Sequence, residues 1–203
     1  MRGVVRKTLL AAIDQAYNRQ SWHGANLRGA IRGVTFTQAA WRPNPGRHNI
    51  WELVVHAAYW KYAVWRRLTG EKRGSFPLEG SNFFPRPVEM SERAWRADVA
   101  LLDRMHRNLR AAIATMPPSR INAKARGSRV TNAFVIQGIA AHDLYHAGQI
   151  QLLKKLRLLV NCLPLTRLPD SPPIWPMSAA GSINAGGCWA RAATSARSCP
   201  RAR

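Results

Sequence analysis

Three histidines carry the chemistry this sequence offers: His142 and His146, four residues apart, and His56 far upstream. Residues four apart on a helix lie one turn above each other, about 5–6 Å between Cβ atoms, so two imidazoles can converge on one small cation. Both interrupt an apolar stripe of Val135, Ile139, Ile150, Leu153 and Leu156, at places where Leu or Ile is expected. His56 interrupts the surface of Leu53, Trp60 and Ala63 in the same way. One histidine on such a face is usually a hydrogen-bonded core residue. Three buried together without a shared partner leave costly unsatisfied groups, and a single divalent cation satisfies all of them. An all-imidazole set suits zinc, nickel or iron and argues against magnesium and calcium. Three protein ligands leave a fourth position open, the pattern of catalytic rather than structural sites.

The neighbours of these residues are weaker candidates. A zincin motif needs Glu directly after the first histidine, and here that residue is Asp143. Asp143 lies about 100° further round the helix, so its two readings are a carboxylate that orients a ligand and an inter-helix or solvated charge. Trp60, one turn after His56, and Tyr145, directly before His146, are pocket candidates whose ordinary reading is core packing. His106 lies in an apolar stripe without a partner histidine at helical spacing, which makes it a core or pocket-edge residue. His23, beside Trp22 and Gly24, can close over the site from a loop, although a surface position is the plainer reading. His48 precedes a helix cap and is read as solvated.

Four long amphipathic segments must position these groups. Val4 to Arg19 turns Val5, Leu9, Ile13, Ala16 and Tyr17 inward. Ser21 to Gly46 is a loop with a short helix near Leu27–Ile31. Asn49 with Glu52 three residues later makes a capping box for the second long helix, whose stripe of Leu53, His56, Trp60, Ala63 and Arg67 ends at Gly70. Glu71 to Met90 is a loop, with Pro85 and Pro87 excluding a helix. Ser91 caps a third helix to about Thr115, with Trp95, Val99, Leu102, His106, Leu109 and Ile113 inward and Pro117-Pro118 as the stop. After a basic loop, Ser119 to Thr131, the fourth helix runs from about Asn132 to Leu159. No strand-like alternation is present, so the expected fold is all-α, an antiparallel four-helix bundle over residues 1–160, joined by crossovers.

Composition sets the remaining limits. In 203 residues, an apolar fraction of 46% supports one ordinary core. No apolar run approaches the ~18 residues of a membrane span, and the apolar run after Arg2, Arg6 and Lys7 is broken at Asp14, too early for a secretory signal. A cytoplasmic protein without membrane partners is expected. Residues 161–203 lose all periodicity and turn to Pro, Ser, Ala, Gly and Arg, which reads as a disordered tail, an accidental extension such as a shifted reading frame gives. The three cysteines, Cys162, Cys188 and Cys199, all fall there, so none serves the helical part and any thiol chemistry borrows its thiol. The formal charge of +21 fits a polyanionic partner, yet the basic residues are spread along the chain. The modest cluster Arg120, Lys124, Arg126 and Arg129 has no aromatic interleaving, and nucleic acid ranks below small molecules as a partner.

The segments Asn49-Ile50-Trp51-Glu52-Leu53-Val54-Val55-His56 and His142-Asp143-Leu144-Tyr145-His146-Ala147-Gly148-Gln149-Ile150 resemble the DinB/YfiT-like superfamily of metal-dependent four-helix bundles. Ser21-Trp22-His23-Gly24 and Arg67-Leu68-Thr69-Gly70 are similar too, and the resemblance covers about residues 1–158. It implies that His56, His142 and His146 are the metal ligands, and that a low-molecular-weight thiol such as bacillithiol or mycothiol is transferred to, or assists isomerisation of, a small electrophile. Hydrolysis by an activated water is the near variant. Members are often dimers, so a homodimer is expected, and several are named after DNA-damage induction, a stress-response link that describes regulation. The Arg120–Arg129 loop is expected to attract the carboxylates of such thiols. The rival is a basic, nucleic-acid-binding or stress-associated bundle whose metal is only structural.

Overall fold

Local chemistry fixes most helix ends. The Asn49 side chain accepts the Glu52 N–H at 2.8 Å while the Glu52 carboxylate takes the Asn49 N–H, a reciprocal cap that starts α4 (Ile50–Thr69). Gly70 ends α4 at a φ of 85°, left-handed backbone that glycine adopts without strain. Ser91 caps α5 (Glu92–Thr115), and Thr131 Oγ1 accepts the Phe134 N–H at the start of α7 (Asn132–Cys162). The fourth long helix is α1 (Arg2–Tyr17). Short helices fill the connections: α2 (Leu27–Ala30), α3 (Phe36–Ala40) and α6 (Pro118–Ile121). This computed structural model describes residues 2–125 and 128–162, and among them it is helical, with no strand and one isolated bridge between Lys124 and Thr131.

Helix α4 is the centre of the packing. It contacts α5 and α7, while α1 packs on α7 and α5, and α2 lies on α7. Every residue from Ile50 to Ala58 is buried, so this half of the helix has no solvent face and must be surrounded. Trp51 donates its indole N–H to Asp98 of α5 at 2.7 Å, and Trp95 of α5 donates to the Val34 carbonyl at 2.9 Å. Each large ring is thus buried with its one polar atom satisfied.

Several expectations change in detail. Val5 and Arg67 are exposed rather than inward. In α7 the innermost stripe includes Ile136, Ala140 and Ala147, while Val135 and Leu156 are only partly buried. Helix α3 lies where a loop is expected, although Thr35 and Gln38 form its capping box, a signal present in the sequence. Pro118 does not simply stop a helix; it opens the single turn of α6, where its missing N–H costs nothing. Asn161 and Cys162, assigned above to the tail, are the last residues of α7. Residues 163–203 with Cys188 and Cys199, and Arg126 of the basic cluster, lie outside the described residues.

The deepest polar contact joins α4 to α7. Lys61 Nζ donates to Asp143 Oδ2, with both side chains about 1% exposed, and Lys61 also lies 4.8 Å from the centre of the Tyr17 ring. Burial pulls the ammonium down and the carboxyl up, while their mutual attraction opposes both shifts. Removing one partner of such a pair strands a charge at a cost of about 3–5 kcal/mol, whereas replacing both with apolar residues is often neutral. Asp143→Ala is therefore expected to lose on the order of that amount in urea unfolding, and Lys61→Met with Asp143→Leu to recover most of it. Equal losses in the single and double variants would remove the pair from this role.

Candidate metal centre

The site begins with the rotation of α4 and α7 about their axes. His56 faces α7, and His142 and His146 stand one above the other on the facing surface. His142 Nε2 lies 3.1 Å from His56 Nε2 and 3.0 Å from His146 Nε2, and one nitrogen of each ring lies within 4.8 Å of those of the other two. His56 and His146 are buried and His142 half-buried.

The outer nitrogens decide what the inner ones can do. His56 Nδ1–H donates to the Asn82 carbonyl at 2.8 Å, and His146 Nδ1–H donates to the Gln149 side-chain oxygen at 2.7 Å. Each acceptor fixes its ring in the tautomer whose Nε2 carries a lone pair. Two lone pairs then point at His142 Nε2, which can donate to one of them at most. Burial, then the neighbouring His146, pushes His56 down to about 4; burial, then His146 and His56, pushes His142 down to about 3. Burial also lowers His146. Neutral rings with converging lone pairs are the state a metal requires. Two ligands of a tetrahedral ion bound at about 2.0–2.1 Å stand about 3.3 Å apart, close to the separations here. The residues fit a divalent transition-metal ion.

Asn82 is held by more than one contact. Its backbone is left-handed at a φ of 67°, and its side-chain oxygen accepts the Trp60 indole N–H at 3.0 Å. Next to it, Phe83 stacks on His56 with ring centres 3.9 Å apart and on His48 at 3.7 Å. His48 is held in turn by Glu52, 2.9 Å away, so the carboxylate that caps α4 also orients a ring at the site. The three histidines open onto a cleft of about 720 Å³. Leu53, Phe83, Leu152, Leu153 and Leu156 give it apolar walls, and Asn44, Arg47, His48 and Tyr145 supply polar groups.

The other candidates separate clearly. Trp60 has its ring centre 6.2 Å from that of His142, and Tyr145, although 64% exposed, lines the cleft. Asp143 takes the inter-helix reading: it pairs with Lys61, and its second oxygen has no partner. His106 stacks on Tyr17 at 3.7 Å, apart from the three-histidine group, and His23 is exposed and lines neither the cleft nor that group. The basic loop is displaced from the expected place. Arg120 donates to the Leu68 carbonyl, twelve residues beyond His56 on α4, or about 18 Å at 1.5 Å per residue. Arg47 is the arginine that reaches the cleft. Sequence reasoning missed Asn82, Phe83 and Arg47, which lie in irregular segments; His48, read as solvated, is exposed but also lines the cleft. Gln149 was legible, because a residue three after His146 shares its face.

Among the described residues, a helical fold in which three histidines, two buried and one half-buried, converge from two helices defines a class of candidate metal-binding helical proteins. Residues 19–150, well over half of the chain, match the model of the DinB superfamily, and the chain belongs to that superfamily. No curated protein and no solved structure matches it.

Two outcomes follow from this geometry. Gln149→Leu frees the His146 ring and is expected to weaken zinc or nickel binding by about 10–100-fold in competition with a chelator; an unchanged affinity would leave Gln149 no orienting role. His106 is pushed down to about 3 by burial and then by the charge of Lys61, while an exposed histidine titrates near 6.5. The unfolded chain therefore takes up this proton first, and stability is lost as pH falls from about 6.5 towards 3. In His106→Phe the urea midpoint should depend less steeply on pH in that window.

Proposed function

We propose that His56, His142 and His146 hold one zinc, nickel or iron ion, and that the protein transfers a low-molecular-weight thiol to a small apolar electrophile. The observation that carries this reading is the set of three converging imidazoles, two locked as Nδ1–H tautomers, at the head of an apolar cleft. A divalent ion held there supplies Lewis-acid stabilisation of a thiolate, which lowers the thiol pKa. The residues of the chain do the rest. His56 and His146 keep their lone pairs inward through Asn82 and Gln149. The leucine walls and Phe83 exclude water and hold the electrophile against the reacting sulfur. Arg47, at the polar part of the cleft, binds a carboxylate of the thiol. Water in place of the thiol makes the same site a hydrolase, the near variant.

The thiol is borrowed on this reading, because Cys162 ends α7 sixteen residues beyond His146, about 24 Å along the axis. A cytoplasmic setting, where small thiols stay reduced, accompanies it; no helix among the described residues is long and apolar enough to cross a membrane. The four long helices are read as the antiparallel bundle that the superfamily resemblance implies. A homodimer has a suitable face in the uncharged outer stripe of the first half of α7, where Phe134, Gly138 and Ala141 are exposed. Nucleic acid is not among the proposed partners, since the basic residues are spread along the whole chain rather than gathered into one stripe.

The test has two steps. Metal content by mass spectrometry should give about one equivalent per chain in the wild type and little in His142→Ala, with both proteins folded. Conjugation of a model electrophile should then require both metal and an added thiol. Turnover that persists in His142→Ala, or no metal-dependent turnover with any thiol in a panel, would sink the transferase reading.

A further inference from the structure

A second cavity, of about 510 Å³, shares no lining residue with the histidine cleft. That volume suits a small organic ligand. Its aromatic part is Tyr59, Trp60 and Tyr62 of α4 with Phe76 of the following loop, whose ring stands 5.4 Å from Tyr59 and 5.3 Å from Tyr62. Its charged part is Arg66, Arg67 and Arg73, faced by a single carboxylate, Glu79.

The three arginines differ from most of those in ordered contacts elsewhere. Among the described residues, Arg28, Arg42, Arg86 and Arg110 are held by carboxylates, whereas Arg66, Arg67 and Arg73 form no ion pair. Arg66 has only a long contact, 3.4 Å, to the Glu71 carbonyl. Basic residues in the last turn of a helix are favoured by its dipole, which accounts for Arg66 and Arg67 alone. Arg73 comes from the loop, folded back by Gly74 and Gly80 at φ of 109° and 103°, conformations that favour glycine. Both glycines line the cavity. Rings that give a flat apolar contact surface, beside guanidinium forks without acidic partners, are complementary to one kind of ligand.

We propose that this cavity binds a small organic anion, its ring lying against Tyr59, Tyr62 and Phe76 and its phosphate or carboxylate meeting Arg66 and Arg73. The site is independent of the metal reading and stands or falls separately from it.

Isothermal titration of the full chain with phenyl phosphate, at about 150 mM salt to screen general attraction, tests the site. One saturable site per chain is expected. Arg66→Gln and Arg73→Gln, singly and together, should weaken it, the pair on the order of tenfold or more, as for lost charge-assisted hydrogen bonds. Tyr59→Ala should weaken it too, and His142→Ala should leave it unchanged. Circular dichroism checks the fold of each variant, and Arg73, exposed on its loop, is the substitution least able to disturb it. The proposal is overturned by any of four results: no saturable binding, undiminished binding in the folded Arg73→Gln protein, loss in His142→Ala, or inorganic phosphate binding as tightly as phenyl phosphate. The last would mean that charge alone is at work.

Discussion

The ion pair of Lys61 with Asp143 is the joint on which the candidate site depends. Two charges removed from water are tolerated only where they meet, and they meet only if α4 and α7 hold one relative rotation and one register. Asp143 follows His142 directly, about 100° further round the helix. With the carboxylate turned into the core, His142 is left at the cleft edge, and His146 follows one turn on. On α4 the same logic links Lys61 to His56, five residues earlier. A slip of one residue in either helix would break the ion pair and scatter the imidazoles together.

A second constraint comes from the loop between α4 and α5. Asn82 gives its carbonyl to His56 and its side chain to Trp60, Phe83 covers His56, and Phe84 is buried in the core. This irregular segment therefore sets the tautomer of one candidate ligand and forms a wall of the cleft. Just upstream, its glycine turns bring Arg73 and Phe76 to the second cavity. The candidate metal centre and the proposed anion site thus share one helix and one loop, the former adding α7, with the Trp60 ring centre 6.2 Å from that of His142 at one and Trp60 lining the other.

The charge of the chain acts locally. With 31 basic against 10 acidic residues, most carboxylates are enlisted in structure: Glu52 holds Arg42 and His48, Asp98 holds Arg86 and Trp51, and Asp14 holds Arg110. Too few remain to neutralise every guanidinium. Where cations converge on a walled cavity rather than on open water, the deficit becomes a recognition feature.

Periodicity and capping chemistry alone determined the long helices of this protein. The stripe of α5 and the Asn49 and Ser91 caps are local properties, readable over three or four residues, and so is the placing of His142 and His146 one turn apart. Their meeting with His56 was legible as an expectation because three apolar-face imidazoles need a common partner. Only the tertiary structure decided how Asp143 is used, since Lys61 gives no sign in sequence that it is buried. Nor could sequence supply Asn82, Phe83 and Arg47, or move the basic loop away from the site. These depend on irregular backbone and on which helix faces turn towards each other. Such contacts join residues distant along the chain, and no short-range period records them.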